Sequence, residues 1–328
     1  DKKTSGARSH FFANFNMSLL NEDGKNSSLE IKTEKVSNDT YLKIYDVNGA
    51  LANKNKAVLE NKLDFVYQNR DFYFGLTPSV YEDTDKNGHL RYEYLLPLAL
   101  EKNIMSSDRY GFLDLGSNIK IRNSETNKQT NFLVNNFKWQ SNKWLNSFGL
   151  ENYFEGLLKT VNYEAKNTSE YKNDTTNTEV NTSLGYFTKL RLFKEDLINK
   201  NFYTLTPKFL LRYAPGHMRK TKGGRLNYGN LFNLNKIEEI DVVEPGLSTS
   251  VGFEYKKNKL NDSDGIGKEI LAISAGQVFS AEENMDIPSS TSLDQRFSDV
   301  VGEAKYSINN KLNLNYNFSI DQGYKNFN

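Results

Sequence analysis

The sequence predicts an all-β chain, an antiparallel transmembrane β-barrel in which it supplies about fourteen strands of a larger barrel. Three observations predict it. The convincing segments repeat every two residues, the side-chain period of a β-strand. Within each, apolar side chains hold one face and polar or charged ones the other. The connections then alternate short and long, as in an up-and-down barrel with tight turns at one end and longer loops at the other.

The strands follow in order. Over 9–20, Phe11, Ala13, Phe15, Met17 and Leu19 oppose His10, Asn14, Asn16 and Ser18. Over 57–68, Leu59, Leu63, Phe65 and Tyr67 oppose Glu60, Lys62, Asp64 and Gln68. Over 90–101, Tyr92, Tyr94, Leu96, Leu98 and Leu100 oppose Arg91, Glu93 and Glu101. Over 202–213, Tyr203, Leu205, Phe209 and Leu211 oppose Thr204, Thr206, Lys208 and Arg212. Over 247–256, Leu247, Val251, Phe253 and Tyr255 oppose Ser248, Ser250, Glu254 and Lys256. Over 312–321, Leu312, Leu314, Tyr316, Phe318 and Ile320 oppose Asn313, Asn315, Asn317, Ser319 and Asp321. Lys or Arg on a lipid-facing position costs roughly 2–4 kcal/mol at a bilayer midplane, and these apolar faces carry none.

The first connection, NEDGKN after Leu20, is a compact polar turn, and the third, at Asn69 and Arg70, is tighter still. Long ones are expected at 37–55, 159–177, 216–245 and 281–298, and short ones at 144–146, 194–201, 257–267 and Asn309-Asn310. The links at 83–89 and 123–128 are too short to add to the rhythm. Pro78, Pro97 and Pro207 fall inside strands, where proline removes a ladder donor, so bulges or strand ends are expected there. Helical periodicity is nowhere sustained; 195–200 has room for one turn.

Composition bounds the chemistry. Lys plus Arg (42) balances Asp plus Glu (41), which gives no bulk attraction to nucleic acid. Without cysteine there is no disulfide, thiolate nucleophile or cysteine metal site. No apolar run approaches the ~18 residues of a spanning helix. His10, His89 and His217 are far apart and in no metal-ligand spacing. The segment from Asp83 to Gly88 superficially resembles a calcium loop, but Tyr94 stands where the bidentate Glu belongs. Gly223-Gly224 reads as a loop hinge, and no catalytic or phosphate-cradling motif is present. No cofactor, metal or catalytic residue is expected.

Several segments resemble the lipopolysaccharide-assembly proteins of the Gram-negative outer membrane, also called organic-solvent-tolerance proteins. VSNDTYLKIYD (36–46) resembles a loop motif after an early strand, particularly in alphaproteobacterial members, and RYEYLLPLALE (91–101) a later strand. LTPKFLLRYAP (205–215) is the strongest match, followed by RLNYGNLFNLNKI (225–237), VVEPG and LSTSVGFEY. ISAGQVFS (273–280) and SSTSLDQRFSDVVGEAKY (289–306) continue in the family's order. The resemblance implies a barrel that accepts lipopolysaccharide from a periplasmic bridge protein and releases it into the outer leaflet, with a lipoprotein plug in the lumen. It further implies that 1–328 is the central part of one barrel domain. The family's periplasmic N-terminal domain and terminal strands, which form its lateral exit, are then expected outside it.

On that reading Glu60, Lys62, Asp64, Arg91, Glu93, Lys208, Arg212, Asn313, Asn315 and Asn317 are the lumen-facing candidates. Arg219, Lys220, Lys222 and Arg225 form a basic loop suited to anionic headgroups or phosphosugars. The expected partners are lipopolysaccharide, the plug, the bridge protein and outer-membrane lipids, in a chain that is not an enzyme. A porin or plugged nutrient transporter is the first alternative. An outer-membrane lipid hydrolase or a soluble β-rich binding protein is the second.

Overall fold

The structure, a computed structural model, describes residues 8–124, 128–169, 171–172, 174–221, 223–261, 265–307 and 312–323. Two-residue periodicity becomes β1 (His10–Glu22), β2 (Lys25–Val36), β3 (Val58–Asn69), β4 (Phe72–Leu76), β5 (Ser79–Asp83) and β6 (Tyr92–Ser107). Next come β7 (Gly111–Ser124), β8 (Lys128–Gln140), the short β9 (Trp144–Leu145), β10 (Leu150–Lys166) and β11 (Thr176–Leu190). The last are β12 (Leu192–Asp196), β13 (Asn201–Ala214), β14 (Gly246–Asn261), β15 (Gly265–Ser280), β16 (Val300–Ser307) and β17 (Asn313–Ile320). A single-turn helix, α1 (Tyr41–Ile44), lies in the 37–57 link, and 3-10 turns occur at Gly88–Arg91 and Ser289–Thr291. Among the described residues, no helix is long and apolar enough to cross a membrane.

The strands form one seventeen-stranded antiparallel sheet. Two pairs are single strands with a break. β4 and β5 both lie between β3 and β6, and β11 and β12 both pair with β13. With the two-residue β9 set aside, fourteen full-length strands remain, the number expected from the period.

The prolines explain the breaks. Pro78 occupies the gap between β4 and β5, and its carbonyl accepts from Leu63 N at 3.0 Å. Pro97 and Pro207 are not at bulges or strand ends; they lie inside β6 and β13. Each faces an interruption in its neighbour. Thr77 N donates to Pro97 O across the β4/β5 gap, and Pro207 falls between the stretches of β13 that pair with β11 and β12. The missing donor of each proline is therefore placed where the ladder is already open.

Several expected connections are shorter than the sequence implied. β10 runs to Lys166 and β11 starts at Thr176, so the expected loop at 159–177 shrinks to 167–175. Its first half alternates as a strand does, but with Val161, Tyr163 and Ala165 buried on what was expected to be a free segment. Likewise β12 runs to Asp196, so the link expected at 194–201 shrinks to a turn at 197–200, and β14 extends to Asn261. β6 starts at Tyr92, so Arg91 belongs to the preceding 3-10 turn. The Asn309-Asn310 link lies outside the described residues.

The Cα packing divides the chain into two compact units: 1–104 with 114–136 and 160–179, and 105–113 with 137–159 and 180–328. In the first, register places Met17, Leu29, Phe65, Leu76 and Leu98 in one row of the apolar face, with Phe15, Ile31 and Leu63 beside it. Asn16, Glu30 and Asp64 line up on the other face. Leu59 departs from expectation. The β2–β3 ladder ends at Lys32 opposite Lys62, and beyond that point Leu59 is fully buried. In the second unit Pro207, Phe253, Ala275, Gly302 and Phe318 form an apolar row, and the Phe318 ring lies over Gly302. Gly252, Gly276, Val301 and Ser319 form the matching row on the opposite face.

One turn depends on glycine. Gly111 has φ +83°, and a Cβ there would sit 2.0 Å from Gln140 O and 2.8 Å from Ser141 Cα, both backbone. Gly111→Ala is expected to cost more than the about 1–2 kcal/mol of left-handed strain alone. Urea unfolding in detergent micelles measures it; an unchanged midpoint would remove this role.

Candidate functional site: a polar sheet face covered by its own loop

Arg212 and its neighbour Leu211 show the inversion that defines the second unit. Leu211 is 42% exposed on the apolar face, whereas Arg212, a charge, is 1% exposed on the other. What covers Arg212 is the segment 215–245, which leaves β13 and folds back over the polar face before β14 begins. Its apolar residues Met218, Leu226, Leu231, Ile237 and Val242 pack with Val278 and Val301 of the sheet and with Ile287 and Leu293 of the 281–299 link. Leu234 and Val243 join Leu157 of β10.

The sheet makes room for this segment with small side chains. A Cβ on Gly185 would be 2.6 Å from Leu234 Cδ2, and one on Gly276 would be 2.4 Å from Leu231 Cδ2. One on Gly252 would meet Phe232 Cζ at 3.1 Å. Ser248 and Ser250 continue the low strip, both buried.

An irregular segment has backbone carbonyls that no ladder satisfies, and burial makes each of them costly unless a donor arrives. Two cations of the sheet supply donors. Lys159 Nζ donates to Glu239 O at 2.9 Å and to Val242 O at 3.1 Å. Arg212 Nε donates to Leu234 O at 2.6 Å, and its Nη2 to Glu244 O. Lys208 adds a third hold, lying 5.4 Å from the Tyr228 ring centroid and 5.7 Å from that of Phe232 while it pairs with Glu254 at 3.4 Å. Inside the segment, Asn227 and Asn230 bond reciprocally through backbone N–H and side-chain oxygen.

Buried charge concentrates at Glu244. Lys236 N donates to Glu244 Oε1 at 2.9 Å, Arg212 Nη2 lies 3.6 Å from the same oxygen, and Lys236 Nζ 3.9 Å. Burial pushes the Lys236 ammonium down to about 7; the Arg212 charge adds to this and Glu244 opposes it.

In the first unit the polar face carries a different chemistry, an ion-pair lattice that Lys56 and Asp39 of the 37–57 link join. Lys32 bridges Glu60 (2.5 Å) and Glu34 (3.4 Å), and Lys56 also pairs with Glu34. Tyr81 Oη donates to Glu60 at 3.2 Å. Lys62 pairs with Glu30 at 3.2 Å, and Asp64 accepts from Thr77 Oγ1 at 2.9 Å. Glu93 holds Arg122 at 2.7 Å. Arg91, from its 3-10 turn, joins Asp39 and Glu82, each at 2.5 Å.

Among the expected site residues, Glu60, Lys62 and Asp64 thus lie together on one strand face, and Lys208 and Arg212 lie together under the loop. Asn313, Asn315 and Asn317 are exposed, in register with Ser307, Lys305 and Glu303. Arg219 pairs with Asp241 at 3.1 Å, Lys220 and Arg225 are exposed, and Lys222 lies outside the described residues. Of the histidines, His10 packs 5.4 Å from Tyr41, His217 is exposed, and the His89 side chain lies outside the described residues. Sequence reasoning missed Lys159, Lys236 and Glu244. The strip of glycine and serine on the polar face of β14 and β15 was the signal that something packs there.

A family model described as LptD, LPS transport system D, matches residues 10–328. The chain belongs to the LptD family. None of the curated proteins matches it. Membership places this LptD chain in the outer membrane, in the transport and assembly of lipopolysaccharide, and makes lipopolysaccharide and the other components of that pathway its partners. The all-β architecture fits a protein that crosses its membrane with strands.

Two outcomes test the covered face. Gly276→Val overpacks Leu231 and Val251 O and is expected to weaken the loop's seat by about 1–3 kcal/mol. Limited proteolysis should then cleave 215–245 on the order of tenfold faster, and an unchanged rate would refute the packing. Lys236, depressed in the folded state, binds a proton in the unfolded chain between pH about 7 and its ordinary value of 10.5. Stability should therefore rise with pH across that window and gain nothing from this group below it. The thermal midpoint of Lys236→Met, measured against the unsubstituted chain, should lack that rise.

Proposed function

We propose that the polar face of this sheet is the lumenal wall of one transmembrane β-barrel and that the apolar face meets lipid. Lipopolysaccharide carries phosphates and sugars on a hydrocarbon base, so it needs a wet, polar path beside a greasy exterior. The single observation that carries the reading is the contrast at Leu211 and Arg212. Leu205, Leu211, Val251 and Phe253 are exposed on the apolar side, while charges lie on the other side under the chain's own loop. A soluble sheet does the reverse.

The paired charges suit passage. Glu60 with Lys32, Lys62 with Glu30, and the neutral ladder Asn313, Asn315 and Asn317 offer many weak polar contacts and no single deep one. The role consists in guiding an amphiphile and needs no bond made or broken, so the chain is not an enzyme on this reading. A lipoprotein plug in the lumen and a periplasmic bridge protein complete the partners. The outer side of the 215–245 segment, which covers the polar face here, is the surface the plug would meet.

Site-specific photocrosslinking tests the assignment of faces. A crosslinker replacing Glu60 or Asn315 should capture lipopolysaccharide during transport, whereas one replacing Phe65 or Tyr316 should capture bulk phospholipid. Capture of lipopolysaccharide from the apolar positions alone would reverse the faces and end the proposal.

A further inference from the structure

At the strand ends of the second unit, where β13, β14 and β15 meet the 215–245 and 281–299 links, there is a cavity of about 490 Å³. That volume is in the range of small-ligand sites. Arg212, Lys236 and Glu244 line it from below, all of them buried. Among the described residues Arg212 Nη1, Lys236 Nζ and Glu244 Oε2 have no hydrogen-bond partner, and the two cations share that one carboxylate through its other oxygen. When both are protonated, the floor holds one positive charge in excess, away from water. A buried charge without a counter-charge is unfavourable, and an anion between Nη1 and Nζ would complete the site.

The mouth has the opposite sign. Glu282, Glu283 and Asp286 of the 281–299 link line it and are exposed. A simple anion is repelled at the entrance, and a simple cation is repelled at the floor. Tyr213 and Leu247, 53% and 46% exposed on the apolar face, also border the cavity. If that face meets lipid, the cavity opens where hydrocarbon gives way to headgroups.

From this arrangement we infer that the cavity binds a phosphate ester bearing a neighbouring ammonium group. The phosphate sits at Arg212 Nη1 and Lys236 Nζ, and the ammonium sits among Glu282, Glu283 and Asp286. The inference rests on the reading of the apolar face as lipid-facing. Two sources offer this chemistry, an ethanolamine glycerophospholipid headgroup and a lipopolysaccharide decorated with phosphoethanolamine.

The test uses the full chain in detergent micelles, titrated with O-phosphoethanolamine, inorganic phosphate or ethanolamine and followed by calorimetry. O-Phosphoethanolamine should bind, and phosphate and ethanolamine should each bind at least about tenfold more weakly. Lys236→Met, and separately the exposed-site variant Glu282→Gln/Glu283→Gln/Asp286→Asn, should each lower affinity by about tenfold or more. The second variant keeps the test open if the first fails to fold. Equal binding by phosphate alone, or unchanged affinity in the acidic-site variant, overturns the inference. Micelles doped with phosphatidylethanolamine, or with lipopolysaccharide with and without phosphoethanolamine, then identify the source by competition; competition by none of them also overturns it. Lost O-phosphoethanolamine binding with the crosslinking pattern intact would sink this site alone. The reverse result would sink the assignment of faces alone.

Discussion

The covered face depends on sheet cations meeting loop carbonyls. A segment without regular structure cannot be buried unless its backbone oxygens find donors, and a buried Lys or Arg cannot stay charged unless it finds acceptors. Lys159 and Arg212 solve both problems together, since four carbonyls of 234–244 accept from the two side chains. Truncating either partner would leave the other desolvated and unmatched, which is why such pairs are costly to break although they contribute modestly when whole. Leu231, Leu234 and Val242 can then be buried on a sheet face that otherwise reads as polar.

Small side chains are the second condition. A barrel wall facing open water has no reason to keep Gly252, Gly276, Ser248 and Ser250 low and adjacent. Under Leu231 and Phe232 the two glycines have a steric reason, and the two serines are buried beside them. The cation pins and the low strip thus act on different parts of one segment, the first on its backbone and the second on its side chains.

How legible this was in the sequence follows from the same physics. The two-residue period of 202–213 and 247–256 assigned each residue to its face correctly, because alternation is a local property that any strand must show. The breaks at Pro78 and opposite Pro207 were flagged by residue type, but their resolution lies in which neighbour is interrupted, a pairing that no single segment displays. The covering loop was legible only as a long irregular link. Its burial depends on Lys159, more than fifty residues before it, and on Gly276, some thirty residues after it. Lys159 was itself read as part of a loop, since β10 lacks the clean apolar and polar division of the other strands: its polar face carries Leu157, Val161 and Tyr163 beside the lysine. The ion-pair lattice around Lys32 was half visible, for the charges of β3 were assigned to one face, but Glu34 of β2 and its burial were not.

The 215–245 segment also couples distant strands of the second unit. It emerges after β13, yet it is held from behind by Lys159 and Gly185 and from ahead by Val278 and Val301. β10 and β16 are not neighbours in the sheet order, so the segment links strands that hydrogen bonding leaves apart. A disturbance of its seat at one of them should therefore reach the other through a stretch that is neither helix nor strand.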